Sequence, residues 1–160
     1  MDPEIKANWL AALRSGEYTQ AEGQLHDGGN KYCCLGVLCV VGELEWQRDD
    51  VLDLDGKPYL SFLPPLFARA IFKEALYPHY LDEGVNSPPV AVSSSDFADA
   101  EKVKTSLEGY GELIVQDDAA WYARSVNLTS LNDGGATFEE IANIIEREFI
   151  TQRLEFNGSS

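Results

Sequence analysis

Near the start of the chain Ile5, Trp9, Ala12 and Leu13 share one side of a helical wheel, and Ser15-Gly16 follows them. Asp2 stands at the N-cap position and Pro3 in the first turn, where a missing N–H costs nothing, so the pattern predicts an amphipathic helix from Pro3 to Arg14. Beyond Glu17 the sequence turns polar. Gln24-Leu25-His26 and Lys31-Tyr32 then flank the turn-forming run Asp27-Gly28-Gly29-Asn30 and read as a short hairpin. From Cys33 to Val41 nearly every residue is small or apolar, and Gly42 follows. Periodicity alone cannot separate helix from strand in so short a run, and we read it as a helix over Cys34 to Val41, buried on most sides.

Val51-Leu52-Asp53-Leu54 and Lys57-Pro58-Tyr59-Leu60 flank Asp55-Gly56 as a second hairpin, and Pro64-Pro65 open an amphipathic helix that runs to Leu76 and stops before Pro78. The stretch from Asn86 to Ser125 is irregular in pattern and offers only the candidate strand Glu112-Leu113-Ile114-Val115. The last element is the clearest. Thr137 and Glu140 form a capping box, Ala136 and Ile141 a hydrophobic staple, and Phe138, Ile141, Ala142, Ile145 and Phe149 one apolar face, which predicts a helix from Phe138 to Phe149. The expected fold is α+β: a single globular domain over residues 1–150, amphipathic helices packed with a small, mostly antiparallel sheet, and a frayed tail over 151–160.

Charge narrows the choice of partners. The 160 residues carry 12 Lys and Arg against 27 Asp and Glu, a formal charge of −15. A field of that sign repels phosphate backbones and anionic lipid, so neither direct nucleic-acid binding nor membrane association is expected. A basic protein surface remains a fitting partner, as does a small phosphate-bearing ligand held locally by a few of the cations. No apolar run reaches the ~18–20 residues of a membrane span, and the opening MDPEIKANW lacks the basic and apolar regions of a signal sequence, which predicts a cytoplasmic protein.

All three cysteines lie in the stretch Lys31 to Cys39, KYCCLGVLC. A structural zinc site needs four converging ligands, and only His26 or His79 could join Cys33, Cys34 and Cys39; adjacent cysteines on a helix also diverge by about 100°. No metal and no cofactor are expected. A thiol at a helix N-terminus is a possible nucleophile, and Tyr32-Cys33-Cys34-Leu35-Gly36 resembles the entry of NlpC/P60-type cysteine peptidases, which makes Cys33, Cys34 and His79 the alternative catalytic set of a cysteine hydrolase. The competing reading, which the apolar surroundings favour, is plain core packing. Asp53-Leu54-Asp55-Gly56 copies part of an EF-hand loop without its decisive first and twelfth ligands. Gly134 to Ala142 resembles the first helix of a helix-turn-helix but no basic recognition helix follows it.

Trp9-Leu10-x-Ala12-Leu13-x-Ser15-Gly16-x-Tyr18-x-Gln20, Tyr32 to Cys39, and Leu131-Asn132-Asp133-x-Gly135-x-x-Phe138-x-Glu140-Ile141-Ala142-x-x-Ile145-Glu146 together resemble a family of small, uncharacterised bacteriophage and prophage proteins. The resemblance implies an accessory protein at work in the host cytoplasm, and the leading expectation is a stoichiometric inhibitor of a host protein, a defence factor above all. Its binding surface would be the carboxylates Glu43, Glu45, Asp49, Asp50, Asp53 and Asp55, set against a basic groove. The alternative is a sponge for a nucleotide second messenger, in which Arg14, Lys31, Arg69 or Arg124 would meet phosphate and Trp9, Tyr18, Trp46 or Trp121 would stack on a base.

Overall fold

The computed structural model describes residues 1–72 and 87–149. Helix α1 (Pro3–Arg14) begins where Asp2 accepts hydrogen bonds from the backbone N–H groups of Glu4 and Ile5, and it buries Trp9 and Leu13. It packs on α2 (Cys34–Val41) and α6 (Phe138–Glu148). The Trp9 indole N–H donates to the Cys34 carbonyl at 2.9 Å, which pins α1 to α2 while its rings pack against Phe72 and Phe149. Helix α6 starts with the expected capping box: Thr137 Oγ1 accepts from Glu140 N–H, and Glu140 returns the bond to Thr137 N–H. Its inner face, Ile141, Ala142, Ile144 and Ile145, is fully buried.

Three small sheets surround this helical centre. Strand β1 (Thr19–Gln20) runs parallel to β2 (Lys31–Tyr32). The hairpin expected between Gln24-Leu25-His26 and β2 is reduced to one antiparallel bridge, His26 to Tyr32, made by the bonds from Asp27 N–H to the Lys31 carbonyl and from Cys33 N–H to the Leu25 carbonyl. The ladder goes no further on the Leu25 side, where the Leu25 N–H donates to Leu60 instead. Strands β3 (Trp46–Gln47), β4 (Asp50–Leu52) and β5 (Pro58–Tyr59) form an antiparallel meander that contains the second expected hairpin. Pro58 is accommodated because β5 is an edge. Helix α3, described over Pro65–Phe72, follows it; the expected extension to Leu76 lies outside the described residues.

The third sheet, in the order β6-β8-β7, is built from β6 (Val90–Ser93), β7 (Val115–Asp117) and β8 (Ala120–Val126). The candidate strand over Glu112 to Val115 is corrected here: pairing begins only at Val115, because the register is set by the Asp118-Ala119 turn that joins β7 to β8. Two helices were not anticipated. Helix α4 (Ala100–Gly109) is capped by Asp99 and buries Val103 and Leu107, and α5 (Leu128–Asp133) buries Leu128, Leu131 and Asn132. The architecture is α+β with mostly antiparallel sheets, and no helix among the described residues is long and apolar enough to cross a membrane.

Candidate functional site: an apolar groove with an acidic rim

Gly42 closes α2, and Glu43 follows in the left-handed region at φ 60°, which turns the chain sharply towards β3. A Cβ on Gly42 would sit 2.6 Å from the Phe67 ring, so the absent side chain lets α3 lie against the end of α2. Between them, Leu44, Leu52, Phe67 and Ala70 line a groove of about 340 Å³, rimmed by Glu43, Glu45 and Asp53. That volume is at the small end of the range for ligand pockets, about 300–1,000 Å³. At its mouth stand Leu54, 94% exposed, and Leu66, 58% exposed.

The exposure of Leu54 has a local cause. Asp53 Oδ1 accepts from the backbone N–H groups of Asp55 and Lys57 at 2.9 and 2.8 Å, and this closes a tight loop that holds Leu54 outward. Next to the groove, Tyr59, Leu60, Phe62 and Pro65 line a second hollow, with Leu60 45% and Phe62 36% exposed. Large apolar side chains gathered at the surface beside carboxylates are the composition of a docking surface, where an apolar centre carries affinity and charges at the edge select the partner.

Of the six predicted carboxylates, the structure brings Glu43, Glu45 and Asp53 to this groove. Asp49 faces elsewhere, with its Oδ1 2.9 Å from His26 Nδ1 and accepting from Gly28 N–H at 3.2 Å, so it ties two loops together. Asp50 is half-buried in β4, and Asp55 is exposed on the loop after it. The apolar half of the site, Leu54 and Leu66 above all, went unpredicted: Leu52-x-Leu54 reads as one face of a strand and Leu66-Phe67 as part of a helix stripe, so the pattern carries no sign that Leu54 and Leu66 are turned outward.

The nucleotide set does not converge. Trp9 and Trp121 are buried in the core, the latter stacked on Phe97, because indoles are the largest apolar groups available to fill it. Arg14 bridges Glu146 at 2.8 Å and Glu139 at 3.4 Å, which raises its pKa. Tyr18 and Trp46 do meet, through edge-to-face contacts with Tyr32, in a cluster that includes His26, stacked on Tyr32. Lys31, Arg69 and Arg124 are exposed on three separate elements. None of these eight residues lines either hollow described above or the one beside Cys33.

That third hollow, about 240 Å³, lies at the start of α2 and is lined by Gln24, Cys33, Ser61, Thr129 and Asp133 among others. Cys33 is the N-cap, its sulfur accepting from Gly36 N–H at 3.4 Å. Burial outweighs that bond and pushes the thiol up to about 11. Cys34 and Cys39, fully buried, are also raised by burial. A nucleophile needs the opposite shift, so the cysteines serve the core. His79 lies outside the described residues. Among those described, no three His, Cys, Asp or Glu side chains are clustered as metal ligands.

The family model described as "Domain of unknown function (DUF8296)" matches residues 1–149. The chain belongs to this family. No curated protein and no solved structure matches it. In this DUF8296 chain a candidate site is therefore assigned on geometry: the acid-rimmed groove between the β3-β4-β5 meander and α3.

Proposed function

We propose that this DUF8296 protein acts by stoichiometric binding: the groove between α3 and the meander takes an amphipathic, Lys- or Arg-bearing segment of a host protein. The observation that carries the reading is the coincidence of Leu54 and Leu66, both widely exposed, with Glu43 and Glu45 on one groove. Exposed leucines are a cost to a solitary protein and a benefit to one that docks, since burying one such side chain contributes about 1.5–3 kcal/mol. The resemblance of its two ends to bacteriophage proteins supplies the setting, a phage accessory protein that blocks a host defence factor in the host cytoplasm. The high negative charge would speed encounter with a basic partner.

Titration with synthetic amphipathic peptides, bearing lysine on the flank of an apolar face, tests this. Leu66→Asp should weaken binding by about 2–3 kcal/mol, lost apolar burial being the cause. Glu43→Lys with Glu45→Lys should weaken it mainly at low salt, because exposed pairs are screened within ~8 Å at physiological ionic strength. Equal affinity for glutamate-flanked peptides, or indifference to Leu66→Asp, would show that the groove is not the site.

A further inference from the structure

The third sheet has two edges, and the protein treats them differently. On β6, Ala91 is the position whose backbone looks away from β8, and α6 satisfies it with side chains: Glu148 Oε1 accepts from Ala91 N–H at 3.0 Å, and Arg147 Nη2 donates to the Ala91 carbonyl at 2.7 Å. Arg147 is in turn fixed by Asp96 at 2.7 Å. A carboxylate and a guanidinium thus stand in for a neighbouring strand, one of the ways in which an edge is closed to pairing.

On the β7 edge Lys104 of α4 and the Asp118 carbonyl engage only the side chain of Gln116, and among the described residues no side chain bonds its backbone as Arg147 and Glu148 bond that of Ala91. The two-residue turn Asp118-Ala119 makes Asp117 and Ala120 the closing pair. In a two-residue hairpin that pair is hydrogen-bonded, so the alternation leaves Val115 bonded to Tyr122 and turns the backbone N–H and C=O of Gln116 outward. Around this opening stand Leu113, 82% exposed, Val115, 42%, and Tyr122, 39%, the last two directly opposite each other across the strands. An open edge with apolar side chains beside it is a template for one more strand.

We infer that β7 is a strand-addition site that takes an extended segment of a partner protein, apolar at the position facing Val115 and basic towards the hairpin tip. The occupant's charge follows from Asp117 and Asp118, both exposed at that tip, and from the net −15. The same charge opposes a second copy of this chain as the occupant, since two bodies of −15 would have to meet along a short edge. This site is separate from the groove, and neither depends on the other.

The test uses the full chain and synthetic peptides of about ten residues, a length that spans a strand, in which Val alternates with Thr and two lysines stand at one end. Binding is followed by anisotropy and by amide hydrogen exchange. The lysine-ended peptide is expected to bind and to slow exchange at the Gln116 amide, while a glutamate-ended version binds at least about tenfold more weakly. Leu113→Lys, at a position too exposed to matter for folding, and Val115→Lys should each weaken binding while Leu66→Asp leaves it unchanged. Three results would overturn the inference: no slowing at Gln116 with any peptide, a Gln116 amide already as protected as Trp121 in the protein alone, or slowing that grows with protein concentration without peptide.

Discussion

Gly36 occupies the middle of α2, where helix propensity alone makes glycine a poor choice: replacing it by alanine should gain about 1 kcal/mol. The structure predicts the reverse. A Cβ at Gly36 would lie 1.9 Å from the Leu25 carbonyl oxygen and 2.8 Å from its carbon, where real Cβ atoms keep at least 3.0 Å. Helix and backbone would have to separate by about an ångström, and the same carbonyl accepts the Cys33 N–H at 3.0 Å. Leaving that buried pair unmade costs about 1–3 kcal/mol, and the overpacking itself about 1–3 kcal/mol. Less the propensity gain, Gly36→Ala should lose about 1–5 kcal/mol. For a chain of this size that lowers the melting midpoint by about 3–15 °C. Urea unfolding followed by circular dichroism measures the loss directly, with the slope against denaturant checking that the two-state comparison holds. Gly109→Ala is the control, since nothing lies within 4 Å of a Cβ there. A Gly36→Ala protein as stable as the parent would refute the close docking of α2 on Leu25.

The other expectations rest on separate parts of the core. Asn132 is 1% exposed; its Oδ1 accepts from Cys34 N–H at 3.2 Å and its Nδ2 donates to the Ala21 carbonyl at 2.6 Å, so Asn132→Ala should cost about 2–4 kcal/mol in the same unfolding assay. Thr137→Ala should cost about 1 kcal/mol through the lost cap, and Ile141→Ala, at a fully buried position, about 2–5 kcal/mol through a cavity; an unchanged midpoint for Ile141→Ala would contradict the packing of α6. Because burial raises the folded Cys33 thiol from 9.0 to about 11, the unfolded chain loses its proton first as pH rises. The Cys33 contribution is therefore full below about pH 9 and is lost through the window up to 11, by about 1.4 kcal/mol per unit, and Cys33→Ala should make the overall decline, to which Cys34 and Cys39 also add, shallower. Native alkylation of the three thiols at neutral pH should be slow; rapid labelling without unfolding would count against their burial.

Elements whose signals are local can be read from the residues alone. Asp2 with Pro3 placed the start of α1, the capping box of Thr137 and Glu140 placed α6, and Asp55-Gly56 placed the turn of the second hairpin, because a cap or a turn is satisfied by groups within a few residues. The fold class followed from these. Helix α4 carried a legible signal too, Asp99 before Val103 and Leu107, although a spacing of one helical turn is thin evidence in so polar a stretch. Every assignment that depends on a distant partner waited on the packing of the fold. Trp9 and Trp121 have the chemistry of a stacking platform and became core because they are large and apolar and α2 and Phe97 were there to meet them. Asp49 and Asp53 look alike in sequence, yet one reaches across to the loop of His26 and Gly28 and the other closes the loop that exposes Leu54. The groove joins residues of α2's end, the meander and α3, and the two edges of the third sheet differ only because α6, far along the chain, reaches one of them. Surfaces of this kind are written in contacts between elements, which no window of neighbouring residues contains.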